Sequence, residues 1–251
     1  VPEPGFAYYG MSARFHHGDV ATYSLSKADG FPLSADTVLD AYDGERIVYL
    51  TSPNNPTGGR FTLDDVVEIA DETNEDTLVV VDEAYHEFAD AESAVSLLAG
   101  AGGDRDDVAV LRTFSKAFGL AGLRLGYAVV PEPWADAYAR VNTPFAASEV
   151  ACRAGLAALD DDAHVEQTVE TVRWARGYIR DELSAPTFES HGNFVLAEVG
   201  DATAATEALK RRGVIIRDCT SFGLPDCVRI TCGTESETRR AVAELNGVLA
   251  E

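Results

Sequence analysis

The chain has 251 residues, 46% of them hydrophobic, and carries 42 acidic against 20 basic side chains for a formal net charge of −22. That length allows a substantial core divided between two domains, while a field so acidic excludes nucleic-acid backbones and anionic membranes as partners. No window approaches the ~20 apolar residues of a membrane span, and Val1-Pro-Glu-Pro-Gly5 lacks the parts of a signal peptide, so cytoplasm is the expected compartment.

Short apolar runs at Ile47–Thr51, Leu78–Asp82, 108–112 and 125–130 predict strands covered on both faces. Between the first two, 62–72 predicts a helix: Thr62 can cap it, Asp65 lies three residues on, and Leu63, Val66, Val67 and Ala70 form one apolar stripe. The alternation predicts an α/β fold with a parallel or mixed sheet, whose sites form at the carboxyl ends of its strands. Near Pro144 the character changes to long helices at 148–159 and 164–183. Then come an extended run at 193–197, a helix at 202–212, short strands at 214–217 and 228–231, and a closing helix with a capping box at Thr234 and Glu237. Two domains are expected, 1–145 and a smaller α+β domain at 146–251.

The four cysteines show neither C-x-x-C pairing nor histidine spacing suited to zinc. They read as reduced thiols without a metal. Only three residues are lysine, Lys27, Lys116 and Lys210. Strong acidity with scarce lysine fits adaptation to high salt, where ions screen self-repulsion.

Lys116 sits in Arg112-Thr-Phe-Ser-Lys-Ala-Phe-Gly-Leu-Ala-Gly-Leu-Arg-Leu-Gly-Tyr127. Arginine can supply charge there, but only an amine can form a Schiff base. Ser52-Pro-Asn-Asn-Pro-Thr-Gly58 and Asp82-Glu-Ala-Tyr85 precede it in the order that a pyridoxal-phosphate enzyme needs. A carboxylate such as Asp82 can keep the pyridine nitrogen protonated, making the ring an electron sink. Tyr85 and Asn55 can reach the ring's 3′ oxygen. Arg124, Thr113 and Ser115 suit the cofactor phosphate. Taken singly, each has an ordinary alternative: a surface lysine, a turn Asp, loop formers, a surface arginine.

Taken together, these motifs, with Pro4-Gly-Phe-Ala-Tyr-Tyr9 and Gly213-Val-Ile-Ile-Arg217 followed by Gly223-Leu-Pro-Asp-Cys-Val-Arg-Ile-Thr-Cys-Gly233, resemble the class II-type, fold-type-I aminotransferases, most closely the histidinol-phosphate aminotransferases. The resemblance implies pyridoxal 5′-phosphate linked to Lys116, Asp82 on the pyridine nitrogen, and Asn55 and Tyr85 on the 3′ oxygen. It also implies Phe6 stacked on the ring and Arg124 with Ser115 at the phosphate. Arg229 and Arg217 match the family's substrate-anion contacts, although Arg217 equally suits a strand-end salt bridge. Asn193 matches a position near the active site.

The same resemblance implies a homodimer and a large domain with a mostly parallel, seven-stranded-type sheet. Relatives carry a further N-terminal stretch that supplies a phosphate-binding loop and two tyrosines, so the large domain is expected to be incomplete at its N-terminus. Tyr8, Tyr9 and Tyr23 are not assigned as replacements. The competing expectations are a threonine-phosphate decarboxylase-like enzyme and a catalytically silent subunit.

Overall fold

The computed structural model describes residues 1–98, 100–143 and 146–251. The chain opens on β1 (Pro2–Glu3), α1 (Tyr8–Phe15) and β2 (Tyr23–Ser24), with the two short strands paired in parallel. The helix α2 (Ala35–Leu39) follows, its first turn capped by the Ser34 hydroxyl. The main sheet is then laid down as β3 (Ile47–Thr51), β4 (Leu78–Asp82), β5 (Val108–Thr113) and β6 (Gly126–Val129). Its order is β3-β4-β5-β6, parallel except for the antiparallel β6. Val79, Val81, Val108 and Val110 are buried on it, as continuous apolar strands require. The described residues thus supply four strands of the seven-stranded-type sheet that the resemblance implied.

Between β3 and β4 runs α3 (Leu63–Glu72), where Thr62 and Asp65 satisfy each other's backbone amides in a full capping box. After β6 come α4 (Glu132–Val141), α5 (Glu149–Leu159) and the long α6 (Asp162–Glu182). The remaining elements are β7 (Phe194–Glu198), α7 (Ala202–Arg211), β8 (Arg217–Asp218), β9 (Cys227–Thr231) and α8 (Glu235–Leu249). They form an antiparallel sheet of order β7-β9-β8 backed by helices.

The strand expected at 214–217 is a correction. Only Arg217 of that run enters the ladder, opposite Arg229. Gly213 adopts a left-handed φ of 75°, and the Val214 amide turns back to the Leu209 carbonyl at 3.0 Å. Those residues therefore close α7 in a Schellman-type turn instead of extending. The change of character expected near Pro144 lies outside the described residues.

Three apolar clusters hold the molecule together. One packs the main sheet against α2 and α3 and also takes in Leu196 and Cys227 from the second sheet with Cys219 and Leu224 from the β8–β9 connection. Another lies between β7, β9 and the helices α6, α7 and α8. A third joins Tyr85, Phe88 and Ala117 to Val172 and Phe194. The two sheets also meet at Gly58, whose φ is 86° and whose carbonyl accepts the His191 amide at 2.8 Å. A Cβ there would lie 2.4 Å from the Ser190 Oγ, so only glycine fits this junction.

No described helix is long and apolar enough to cross a membrane. Nor, among the described residues, does any group of His, Cys, Asp and Glu side chains sit ready to hold a metal ion. The four cysteines are free thiols. Burial pushes Cys219 up to about 11 and Cys227 and Cys232 up to about 12, which keeps them protonated and poor nucleophiles near neutrality.

Candidate active site

Because β3, β4 and β5 are parallel, their carboxyl ends open on the same edge of the sheet. Thr51 and Asp82, the last residues of β3 and β4, are register partners there, and Lys116 follows the end of β5 by three residues. The second sheet faces this edge with Arg217 on β8 and Arg229 on β9. A cleft of about 340 Å³ lies between them, lined by these residues together with Phe6, Tyr9, Asn55, Tyr85 and Phe222. That volume suits a small organic ligand.

Asp82 is the anionic centre of the cleft. Its Oδ1 accepts the Ala84 amide at 2.9 Å, and its Oδ2 accepts the Tyr9 hydroxyl. Burial pushes its carboxyl above the usual carboxylate range, opposed by the Tyr9 and Ala84 hydrogen bonds and by the Lys116 charge. The Lys116 Nζ stands 5.1 Å from the centre of the Tyr85 ring. Tyr85 is itself held edge-on to Phe194, with centroids 5.2 Å apart. Phe6 is 47% exposed at the cleft and meets Tyr9 edge-on at 5.5 Å.

The cations of the cleft have no direct ion pair among the described residues. Lys27 is paired with Glu198 and Asp226, and Lys210 with Glu207. Among the described residues, no carboxylate forms an ion pair with Lys116, Arg217 or Arg229. Arg217 donates to the Ser221 hydroxyl at 3.0 Å and lies 5.5 Å from the Phe222 ring centre. Arg229 donates to the Asn55 side-chain oxygen and lies 5.0 Å from the Phe194 ring centre, with its Nε buried and unpartnered. Three cations against the single carboxylate of Asp82, on a chain of net charge −22, make the cleft a local anion receptor.

Comparison with known proteins identifies the family. A family model described as aminotransferase class I and II matches residues 1–245. The histidinol-phosphate aminotransferase of Halobacterium salinarum is 70% identical, covering 99% of this chain and 69% of its own length. The chain belongs to the histidinol-phosphate aminotransferases. The enzyme of that name from Haloarcula marismortui is 69% identical and covers 100% of this chain and 69% of its own. Among solved structures, the histidinol-phosphate aminotransferase from Sinorhizobium meliloti, in complex with pyridoxal-5′-phosphate, has a TM-score of 0.88 at 28% identity. That match covers 100% of this chain and 70% of the other.

Not every site residue expected of an aminotransferase from its sequence reaches the cleft. Phe6, Asn55, Asp82, Tyr85, Lys116, Arg217 and Arg229 are brought together; Thr113, Ser115, Arg124 and Asn193 do not line it. The Thr113 hydroxyl accepts the Ser115 amide at 3.1 Å. Arg124 is exposed in a left-handed conformation at φ 55°, with its guanidinium on the Ala121 carbonyl at 2.8 Å. The Asn193 carbonyl accepts the Cys232 amide at 2.8 Å, tying the start of β7 to the end of β9. Thr113 and Arg124 thus bond within their own segments, and Asn193 joins two strands of the second sheet.

Tyr9 is the reverse case, unassigned from sequence and buried at the centre of the site. Its one local hint is the three-residue interval from Phe6, which places two side chains on one face only once a helix is known to begin there.

Proposed function

We propose that this aminotransferase binds pyridoxal 5′-phosphate through Lys116 and exchanges an amino group between histidinol phosphate and 2-oxoglutarate, giving imidazole acetol phosphate and glutamate. The donor set fits that cofactor: an unpaired amine, a buried carboxylate, aromatic side chains and unpaired guanidinium groups converge on one cleft. When bound, the group supplies an electron sink for the pair left at Cα.

The chain's own residues do the rest in this reading. Asp82 would keep a proton on the pyridine nitrogen, Asn55 and Tyr85 would donate to the 3′ oxygen, and Phe6 would pack against the ring. As a free amine, Lys116 would take the Cα proton and return it at C4′. Arg229 and Arg217 would grip the substrate phosphate or carboxylate, and Asn193, outside the cleft lining, is assigned with them. Thr113, Ser115 and Arg124 are assigned to the cofactor phosphate.

The observation that carries this reading is the state of the three lysines. Two are tied to carboxylates, and the one without a carboxylate partner stands in the cleft beside Tyr85. Incubation with pyridoxal phosphate, borohydride reduction and peptide mapping should place the label on Lys116. A label confined to Lys27 or Lys210, or none, overturns the assignment. Glutamate-dependent amination of imidazole acetol phosphate is the expected activity. Carbon dioxide release from threonine phosphate would favour a decarboxylase instead, and a chain that never takes up the cofactor would be the silent subunit.

The reading extends to organisation: domains at 1–145 and 146–251, a cytoplasmic enzyme, and a homodimer. The exposed Tyr8, Met11 and Phe15, spaced along one side of α1, support a covered face. It also extends to high salt. Repulsion among 42 carboxylates is screened by added ions. Melting in molar potassium chloride should therefore occur at clearly higher temperature than in dilute buffer, and a midpoint that stays flat or falls with salt removes that part.

A further inference from the structure

Tyr9 is held where it is by stacking. Its ring lies 4.7 Å from that of Tyr49 at an interplanar angle of 19°, with Phe6 edge-on to it, and only 6% of the residue is exposed. From that position its hydroxyl donates to the Asp82 Oδ2, while the Ala84 amide takes Oδ1. Each oxygen of the carboxylate is thus anchored by one donor. An ionised carboxylate offers about four acceptor sites, so room remains for a ring N–H.

We propose that Tyr9 is a positioning residue: its phenol holds the Asp82 carboxylate in the orientation and ionised form that a protonated pyridine nitrogen requires. The proposal rests on the cofactor reading above, and goes beyond it by assigning the residue behind the aspartate.

The groups facing Asp82 leave this work to Tyr9. Tyr49 on β3 is a neutral phenol that stacks on Tyr9. Glu83, next in the chain, opposes ionisation, and Lys116 favours it less than either hydrogen bond does. Lys116 is also the amine committed to the cofactor, so it is not free to anchor the carboxylate. The Ala84 amide and the Tyr9 hydroxyl are what remain. Tyr9 is a permanent donor, because burial and the neighbouring Asp82 push its own ionisation far above the ordinary range. Removing that donor makes Asp82 more basic and shifts the proton it shares with the ring nitrogen toward the carboxyl.

The test is Tyr9→Phe, which keeps the stacked ring and deletes one hydroxyl. In the unloaded chain with 13C in its aspartate carboxyls, the Asp82 signal is identified by its loss in Asp82→Asn. Its titration midpoint should rise by about 1 pH unit in Tyr9→Phe and stay in place in Tyr49→Phe. With pyridoxal phosphate carrying 15N in the ring, the nitrogen signal of Tyr9→Phe should move toward the unprotonated position. Unchanged Asp82 and ring-nitrogen signals in Tyr9→Phe overturn the proposal. Should Tyr9→Phe not fold, the unmutated chain grown on 3-fluorotyrosine, a more acidic donor, should show a lower Asp82 midpoint, and an unmoved midpoint overturns the proposal equally. Failure of the cofactor reading is separate: the parent chain would then take no borohydride label at Lys116, whereas Tyr9→Phe is expected to keep that label.

Discussion

Lys116→Ala should lose the borohydride label and lower turnover by at least about 10³-fold, since in the proposed role Lys116 is both the covalent attachment and the general base. Stability should hardly change. Lys116 has no carboxylate partner, and its one recorded side-chain contact is with the Tyr85 ring, an interaction worth about 0.5–1 kcal/mol at a partly exposed site. The two readouts therefore separate chemistry from folding: a variant that melts like the parent and yet does not turn over supports the role, and one that keeps turnover excludes it. Lys116→Arg serves as the control for charge. It retains a cation over Tyr85, cannot form the imine, and should be as inactive as the alanine variant.

That pair of variants restates in chemical terms why the lysine was legible in the sequence. A chain with three lysines has little use for a decorative one, and the structure ties the other two to carboxylates. The strands were legible for a similar reason. Continuous apolar runs such as Leu78–Asp82 cannot be left in water, and their ends place Thr51 and Asp82 side by side. The capping boxes at Thr62 and Thr234 were legible because both partners lie within one turn.

What stayed hidden depends on contacts between distant segments. Tyr9 and Asp82 are 73 residues apart, and Arg229 and Asn55 are 174 apart, so no local window shows either bond. The helix α1 has no side-chain cap and no acidic residue in its first turn, so it carries no start signal. Val214, Ile215 and Ile216 look like a strand by composition, but one left-handed glycine before them redirects the backbone, and Ile215 is left 86% exposed. Arg124 shows the same limit at the site. Its position in the motif points to a phosphate contact, while its observed hydrogen bond is to the Ala121 carbonyl three residues back.

Arg229→Leu should raise the KM for glutamate and for histidinol phosphate by about 10²-fold or more, the cost of losing one partner of a largely desolvated charge pair. The argument starts from what the guanidinium lacks. In a chain with 42 carboxylates, Arg229 forms its recorded side-chain bond to a neutral amide, stacks on Phe194, and keeps its Nε buried without a partner. A desolvated cation without a counterion is costly unless a ligand supplies one. Its leucine replacement should accordingly not destabilise the ligand-free fold in proportion to the lost affinity. Arg229→Lys should fall between the two, because an ammonium keeps the charge but not the two-pronged donor geometry that a phosphate or carboxylate engages. Borohydride labelling of Lys116 should persist in both variants, which assigns the defect to the substrate and not to the cofactor. Unchanged KM values for both substrates in Arg229→Leu would move the anion site elsewhere in the cleft, with Arg217 as the remaining guanidinium there.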